Sequence, residues 1–182
     1  MENTDLSNIV IEAWSEPDGK TISELASLTL DVVRGGASVG FMGNLSHEEA
    51  RNFWQQVLVK ATAGKIVLLI AKNTSSDQIV GTVQLQVDLP RNQPHRADVA
   101  KMLVHSSFRR RGLAESLLNR IEQLAKTLGK SLLVLDTVSY SPAHALYLKC
   151  GWKVVGEIPN YALLPDGTPC GTTYFYKSLI AD

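Results

Sequence analysis

Apolar residues in this chain repeat with two different periods, and the switches between them mark out its elements. Over 20–36 (KTISELASLTLDVVRGG), Ile22, Leu25, Ala26, Thr29, Val32 and Val33 fall on one side of a helix, which Gly35 and Gly36 stop. In SHEEARNFWQQVLVKAT (46–62), Ser46 and Glu49 have the spacing of a capping box. Ala50, Phe53, Trp54, Val57, Leu58 and Ala61 then keep helical spacing. A third helix places Leu113, Leu117, Leu118, Ile121, Leu124, Ala125 and Leu128 along one stripe and ends at Gly129. Ser141 and Pro142 have the order of an N-cap and a first helical residue, opening a short helix that reaches Cys150 and closes on Gly151.

Elsewhere the period is two, or the run is apolar throughout. Residues 8–14 (NIVIEAW) form a short strand and 65–73 (KIVLLIAKN) a buried one. In 78–88, Ile79, Gly81, Val83, Leu85 and Val87 alternate with mostly polar neighbours, the pattern of a strand with one protected face. Asp77 lies near the hairpin turn before it. Residues 95–107 supply a further strand. The nearly all-apolar SLLVLDTVS (131–139) predicts a central strand covered on both faces. Strands at 152–159 and 171–179, joined by a loop containing the turn Pro165-Asp166-Gly167, finish the chain. The order is β, α, α, β, β, β, α, β, α, β, β. Its central strand–helix–strand unit sets 98–105 and 131–138 parallel. The predicted fold is α/β (α+β): a mixed, mostly antiparallel sheet of about seven strands with helices on both faces. With no repeat or dividing linker, 1–182 reads as a single domain.

Composition narrows the class of function. Forty-five per cent hydrophobic and 20% charged residues are ordinary globular usage. Eighteen basic against 18 acidic residues leave no net charge, which argues against a nucleic-acid binder. Cys150 and Cys170 make no disulfide framework, and neither they nor His95 and His144 have metal-ligand spacing, so no metal is expected; His105, at a strand end, is either a phosphate contact or a plain surface residue. The start, MENTDLSNIVIEAW, lacks the basic and apolar regions of a secretory leader. The longest apolar run, 66–71, is too short to cross a bilayer. The expectation is a cytoplasmic protein, monomer or homodimer, with no membrane partner.

Against this neutral background Arg109, Arg110 and Arg111 stand together, directly before Gly112 and the helix from Leu113. A helix start carries unpaired N–H groups and the positive end of the dipole, and small residues let an anion touch that backbone. Gly112 and Ala114 remove bulk there while the arginines add charge-assisted donors. A solvated basic turn is the alternative. GxxxxGK[ST] and GxGxxG are both missing, which speaks against a mononucleotide or dinucleotide fingerprint. A cofactor held through a diphosphate at one point suits the pattern better.

Arg109, Gly112 and Ala114 match the [Q/R]xxGx[G/A] loop of the GNAT superfamily of acetyl-CoA-dependent N-acetyltransferases, which this chain resembles. AHALYLKCGW (143–152) is similar to a second segment of that family, AxxLYxKxGF, through Ala143, Leu146, Tyr147, Lys149, Gly151 and Trp152. The asparagine often found before that segment is replaced by Tyr140. Within the superfamily, GGASVGFM (35–42), RADVAKMLV (96–104) and LDT (135–137) resemble tabtoxin-resistance acetyltransferases.

The resemblance implies acetyl-CoA as co-substrate and direct attack by a small-molecule amine, with amino-acid-like and β-lactam toxins as candidates, without an acyl-enzyme. It implies that the strand 99–105 splays from its parallel neighbour, freeing backbone of Met102, Leu103 and Val104 for the pantetheine and thioester. An N–H near Leu103 would serve as oxyanion donor. Amides of Arg110, Arg111, Gly112, Leu113 and Ala114 would take the pyrophosphate. Tyr147 would be the acid that protonates the departing thiolate. Asp136, at the carboxyl edge of its strand, or Asp98, on the neighbouring one, would orient the amine or accept its proton. Phe41 and Met42 are candidate acceptor walls, and Tyr161 could close over the acceptor from a loop after Pro159. The rival readings are a non-catalytic acyl-CoA sensor, an enzyme acting on a protein or peptide amine, and an interaction module using the arginines.

Overall fold

A computed structural model describes residues 6–180, so the first five residues of the stretch read for a leader lie outside the described residues. The elements are β1 Ile9–Trp14, α1 Gly19–Arg34, α2 His47–Thr62, β2 Ile66–Asn73, β3 Gln78–Gln86, β4 Arg96–Val104, α3 Leu113–Thr127, β5 Leu132–Val138, α4 Pro142–Lys149, β6 Lys153–Leu163 and β7 Pro169–Ser178, with one 3-10 turn, Ser106–Phe108, between β4 and α3. This is the order that the periodicity predicts.

Local chemistry accounts for the helix ends. The Asp18 carboxylate accepts from the amides of Lys20 and Thr21 at 3.0 and 2.8 Å, starting α1. The capping box of α2 is complete: Glu49 N–H donates to Ser46 Oγ at 3.2 Å, and Ser46 N–H donates to Glu49 Oε2 at 2.8 Å. Such caps are each worth about 1 kcal/mol.

The seven strands form one sheet in the order β1-β2-β3-β4-β5-β7-β6. β4 and β5 run parallel, and the other neighbours are antiparallel. One face packs against α3 and α4, with Leu117, Leu118 and Ile121 meeting Val83, Leu85, Leu133, Leu135 and Phe175. α1 and α2 cover the other face over β2, β3 and the end of β4, where Leu25, Leu28, Trp54 and Leu58 meet Leu68, Ile70 and Leu103. Trp54 is fully buried there and its indole N–H donates to Thr29 Oγ1 at 2.7 Å. Among the described residues, that second core does not extend past β4 to β5.

Four expectations need correction. β3 is buried on both faces, not one: helices lie on either side, and Val80 is an extra residue at a bulge opposite Ala71 and Lys72. β5 is central but covered on one face only; Leu133 and Leu135 are buried, whereas Asp136 is exposed. Leu128 leaves the apolar stripe, 49% exposed, because α3 ends at Thr127. Finally, the stretch after Pro159 is not a loop, since β6 continues to Leu163. An edge strand tolerates proline's missing N–H. The ladder simply slips between Ile158 and Ala162, with Asn160 at φ 52°.

Candidate active site

β4 and β5 pair at one end only. Arg96, Ala97 and Asp98 face Leu132, Leu133 and Val134; beyond them β4 runs on to Val104 and β5 to Val138 without pairing to each other. The cause lies on the β3 side. Ala100 pairs with Gln84 and Leu103 with Thr82, so β4 spends one residue more than β3 over this step. Lys101 takes up the excess at φ 51°. A bulge bends its strand, and this one lets β4 stay with β3 while its far half departs from β5. The result is a wedge open between two strand backbones.

Register fixes what lines it. Gln84, Ala100, Asp98, Val134, Asp136 and Tyr174 share one face, because each is paired with the next or lies two residues from it. Alternate residues of β5, Leu133 and Leu135, point into the α3 and α4 core. Asp136 therefore stands in the gap that no helix fills. It is reached by solvent yet recessed among protein atoms. That burial lifts its pKa above the ordinary carboxylate value, Lys101 opposing the rise and Asp98 adding to it. Asp98 itself is engaged, since Arg96 Nη1 forms an ion pair with its carboxylate.

Around Asp136 stand aromatic groups. Tyr174, its β7 partner, has its hydroxyl 2.8 Å from that of Tyr161. This hydrogen bond, burial and the Asp136 charge push the Tyr174 phenol up to about 12. Phe41 packs edge-on against Phe53 at 5.1 Å. Met42 is 42% exposed in the α1–α2 connection. That connection is tied across to the β6–β7 turn: Gly43 N–H donates to Pro165 O at 2.8 Å and Ser38 Oγ to Leu163 O at 3.0 Å. A Cβ at position 43 would lie 2.9 Å from Pro165 O, so glycine permits this closure. Phe41 and Met42 thus lie in the connection that is tied to the β6–β7 end, while Tyr161 lies on β6 and reaches Tyr174.

Tyr147 belongs to the other face. It is 5% exposed and its ring packs on Trp152 and Phe175, at 5.9 and 5.8 Å. Its hydroxyl has no hydrogen-bond partner among the described residues. Burial, with smaller contributions from the charges of Asp136 and Cys150, pushes the phenol well above its usual range. The group is thus a neutral O–H donor at any physiological pH.

At the start of α3, Gly112 is the N-cap with φ 82°, and no side chain caps the helix. Arg110 is also left-handed, at φ 60°. Bare amides at a helix start suit an anion. The three arginines behave differently from one another. The Arg109 guanidinium turns back to the end of α1, where a Cβ at Gly35 would be 3.2 Å from it, and its Nε lies 3.5 Å from Val104 O. Arg111 lies over the Phe108 ring at 5.3 Å. Arg110 is exposed.

His105 is fully accounted for locally. Its Nδ1 accepts from Ser107 N–H at 3.2 Å, and its ring lies 3.9 Å from Asp31. Asp31 in turn accepts from Ser106 N–H and Oγ at 2.7 and 2.8 Å. Burial raises the Asp31 pKa, but these bonds outweigh it and the net shift is downward. This clamp fixes the turn between β4 and α3.

Sequence reading missed Lys101, Gln84 and Tyr174 as lining groups. Lysine inside the apolar run of β4 is a signal in retrospect. Nothing along the chain says that a bulge would turn it inward. Among the described residues, no helix is long and apolar enough to span a membrane.

Comparison with known proteins agrees with this geometry. Residues 33–152 match the model of the acetyltransferase (GNAT) family. The fold is similar to an N-acetyltransferase from Staphylococcus aureus Mu50, with TM-score 0.76 and 17% identity over 95% of this chain and 99% of that one. It is similar also to a GCN5-related N-acetyltransferase from Kribbella flavida, with TM-score 0.77 and 16% identity over 96% and 99% of the two chains. In sequence, 85 residues are 35% identical to human N-acetyltransferase 8, covering 46% of this chain and 37% of that protein. Another 87-residue match, 34% identical, is to N-acetylaspartate synthetase of Danio rerio, covering 47% and 30%. The chain thus spans well under half the length of these curated relatives. On the match across both halves of its wedge, the chain belongs to the acetyltransferase (GNAT) family.

Proposed function

We propose that this chain transfers an acetyl group from acetyl-CoA to the primary amine of a small molecule, by direct attack in a ternary complex. One observation carries the reading: β4 and β5 part beyond Asp98 and Val134, leaving Asp136 on the separated half of β5, with its charge felt by the buried Tyr147 phenol. When bound, acetyl-CoA would supply an acetyl group activated as a thioester.

The residues present fit that co-substrate. The bare amides from Arg110 to Ala114 would hold the pyrophosphate, with Arg110 and Arg111 adding positive charge. The dipole alone contributes only about 0.3–1 kcal/mol, so amides and guanidinium groups carry most of the binding. The Arg109 side chain turns away instead, toward Gly35 at the end of α1 and Val104 O. Met102, Leu103 and Val104, on the unpaired half of β4, would offer backbone groups to the pantetheine and the thioester carbonyl.

Asp136 orients the acceptor ammonium and takes up its proton, directly or through water. Its raised pKa makes it a better base than a surface aspartate. Asp98 is already paired with Arg96 beneath, which makes it the less available of the two acids. As the new C–N bond forms and the C–S bond breaks, Tyr147 gives its proton to sulfur. The unpartnered hydroxyl is free to do so. Transfer from the phenol to a thiolate is uphill, and protonation from solvent resets the tyrosine afterwards. Cys150 is unsuited to a covalent route, because burial raises its thiol pKa.

The stretches resembling tabtoxin-resistance acetyltransferases make amino-acid-like and β-lactam amines the first acceptors to offer, in a cytoplasmic setting. Thiol release from acetyl-CoA, measured against amino acids, polyamines, aminoglycosides and β-lactam amino acids, tests the reading. Acceptor-dependent release with one or more amines is the expected result. Failure to bind acetyl-CoA would overturn it.

A further inference from the structure

We infer that Lys101 is an anion receptor in the acceptor site, so that the acceptor carries a carboxylate or similar anionic group near its amine. The inference rests on the acetyltransfer reading above and names what that reading leaves open.

The placement comes from the bulge in β4. Lys101 occupies it at φ 51°, and its ammonium reaches across to the α1–α2 connection, donating to Val39 O at 2.9 Å. The Nζ lies 5.9 and 5.6 Å from the ring centroids of Phe41 and Phe53. Gly40, at φ 89°, keeps space beside it; a Cβ there would be 3.2 Å from Nζ. An ammonium has three donors, and one carbonyl takes one of them. Among the described residues no carboxylate forms an ion pair with Lys101. A recessed cation satisfied by one carbonyl and two ring faces is under-compensated.

A second group beside it is also unsatisfied. Gln84 pairs with Ala100, the residue before Lys101, and stands on the cleft face of the sheet. It is 2% exposed and its side-chain nitrogen has no partner. Buried amide groups ordinarily find partners. An ammonium with donors to spare and an unpartnered amide nitrogen thus flank one bulge, a combination suited to an anion.

Charge balance points the same way. Arg96 neutralises Asp98 beneath the wedge. Across the opening remain Lys101 on β4 and Asp136 on β5, opposite charges on the two unpaired strand halves. A purely cationic amine would be drawn to Asp136 and repelled by Lys101. A molecule with both an ammonium and a carboxylate satisfies both residues. The acceptor class is therefore a zwitterionic amino acid or an analogue of it, its amine on Asp136 and its acid group on Lys101.

The test offers α-amino acids together with their carboxamides and their decarboxylated amines, and reads kcat and KM separately for wild type, Lys101→Met and Lys101→Arg. A charge-assisted hydrogen bond of ordinary strength predicts that wild type prefers the acid by about tenfold or more in kcat/KM, mostly through KM. Lys101→Met should reduce the preference to about twofold or less, and Lys101→Arg should restore part of it. Melting temperature and acetyl-CoA binding should be near wild type in both variants. Wild type using amides or simple amines as well as acids overturns the inference, whatever the variants do. So does a Lys101→Met variant that keeps the preference. If acetyl-CoA binds but no acid is acetylated, the inference fails while cofactor use stands; if acetyl-CoA does not bind, both fall.

Discussion

The two faces of β5 are built from alternate residues of one strand, and they could hardly differ more. Leu133 and Leu135 point into a dry layer with Leu117, Tyr147, Trp152 and Phe175. Val134 and Asp136 point into a cleft that holds Asp98, Lys101 and Tyr174 on the same sheet. On the first face nearly every group is satisfied by packing. On the second, charges stand apart and an amide goes unpaired. The dry face holds the backbone still, so the wet face can keep groups in poor environments at fixed positions. Stability sits on one side of the strand and the proposed chemistry on the other.

The sharpest way to break this comparison is Asp136→Asn. If Asp136 is the base, kcat/KM should fall about a thousandfold in the thiol-release assay, with the circular dichroism spectrum unchanged. A loss of tenfold or less would move the base elsewhere. Leu135→Ala attacks the other face. It should cost about 3 kcal/mol in urea unfolding, from lost burial and the cavity left behind, while the folded fraction keeps its KM for acetyl-CoA.

Tyr147 joins the two faces, with its ring in the core and its hydroxyl near the Asp136 charge. Tyr147→Phe should lower kcat about tenfold to a hundredfold and leave acetyl-CoA binding and the melting temperature nearly unaltered, because no hydrogen bond is lost. Unchanged turnover would remove Tyr147 from the reaction.

The smallest effects concern pH. The base form of Asp136 is needed, so kcat/KM should fall as pH drops through its pKa. Burial has raised that pKa, so the fall begins at higher pH than a surface aspartate near 3.9 would give. The stability sign is opposite. A carboxyl whose pKa is raised on folding favours the folded state when protonated and opposes it once ionised, above the folded pKa. Asp136→Asn should therefore slightly raise the melting temperature at neutral pH and leave it unaltered in acid. A lower melting temperature at neutral pH would show that the charge is stabilising instead.

Much of this was legible along the chain. The helices were readable because apolar spacing, caps and terminal glycines agree, as in Ser46 with Glu49 or Ser141 with Pro142. The place of Asp136 on the carboxyl side of its strand was readable because a lone acid ends an apolar run. Errors fell where neighbours distant in sequence decide exposure. The open face of β5 exists because α1 and α2 stop short of it, and nothing in SLLVLDTVS records where those helices lie. Glu122 is another case: set on an amphipathic helix, it is buried because Lys177 donates to it at 2.7 Å and the Trp152 indole at 3.1 Å.

Local forces thus settled the list of elements, their order and the parallel central pair, since hydrophobic period and capping act within a few residues. The wedge, the inward turn of Lys101 and the recess around Asp136 depend on a one-residue mismatch between β3 and β4. Such a mismatch is a property of two paired strands, and the electrostatics of a cleft belong to every wall that encloses it. Neither can be read from one segment alone.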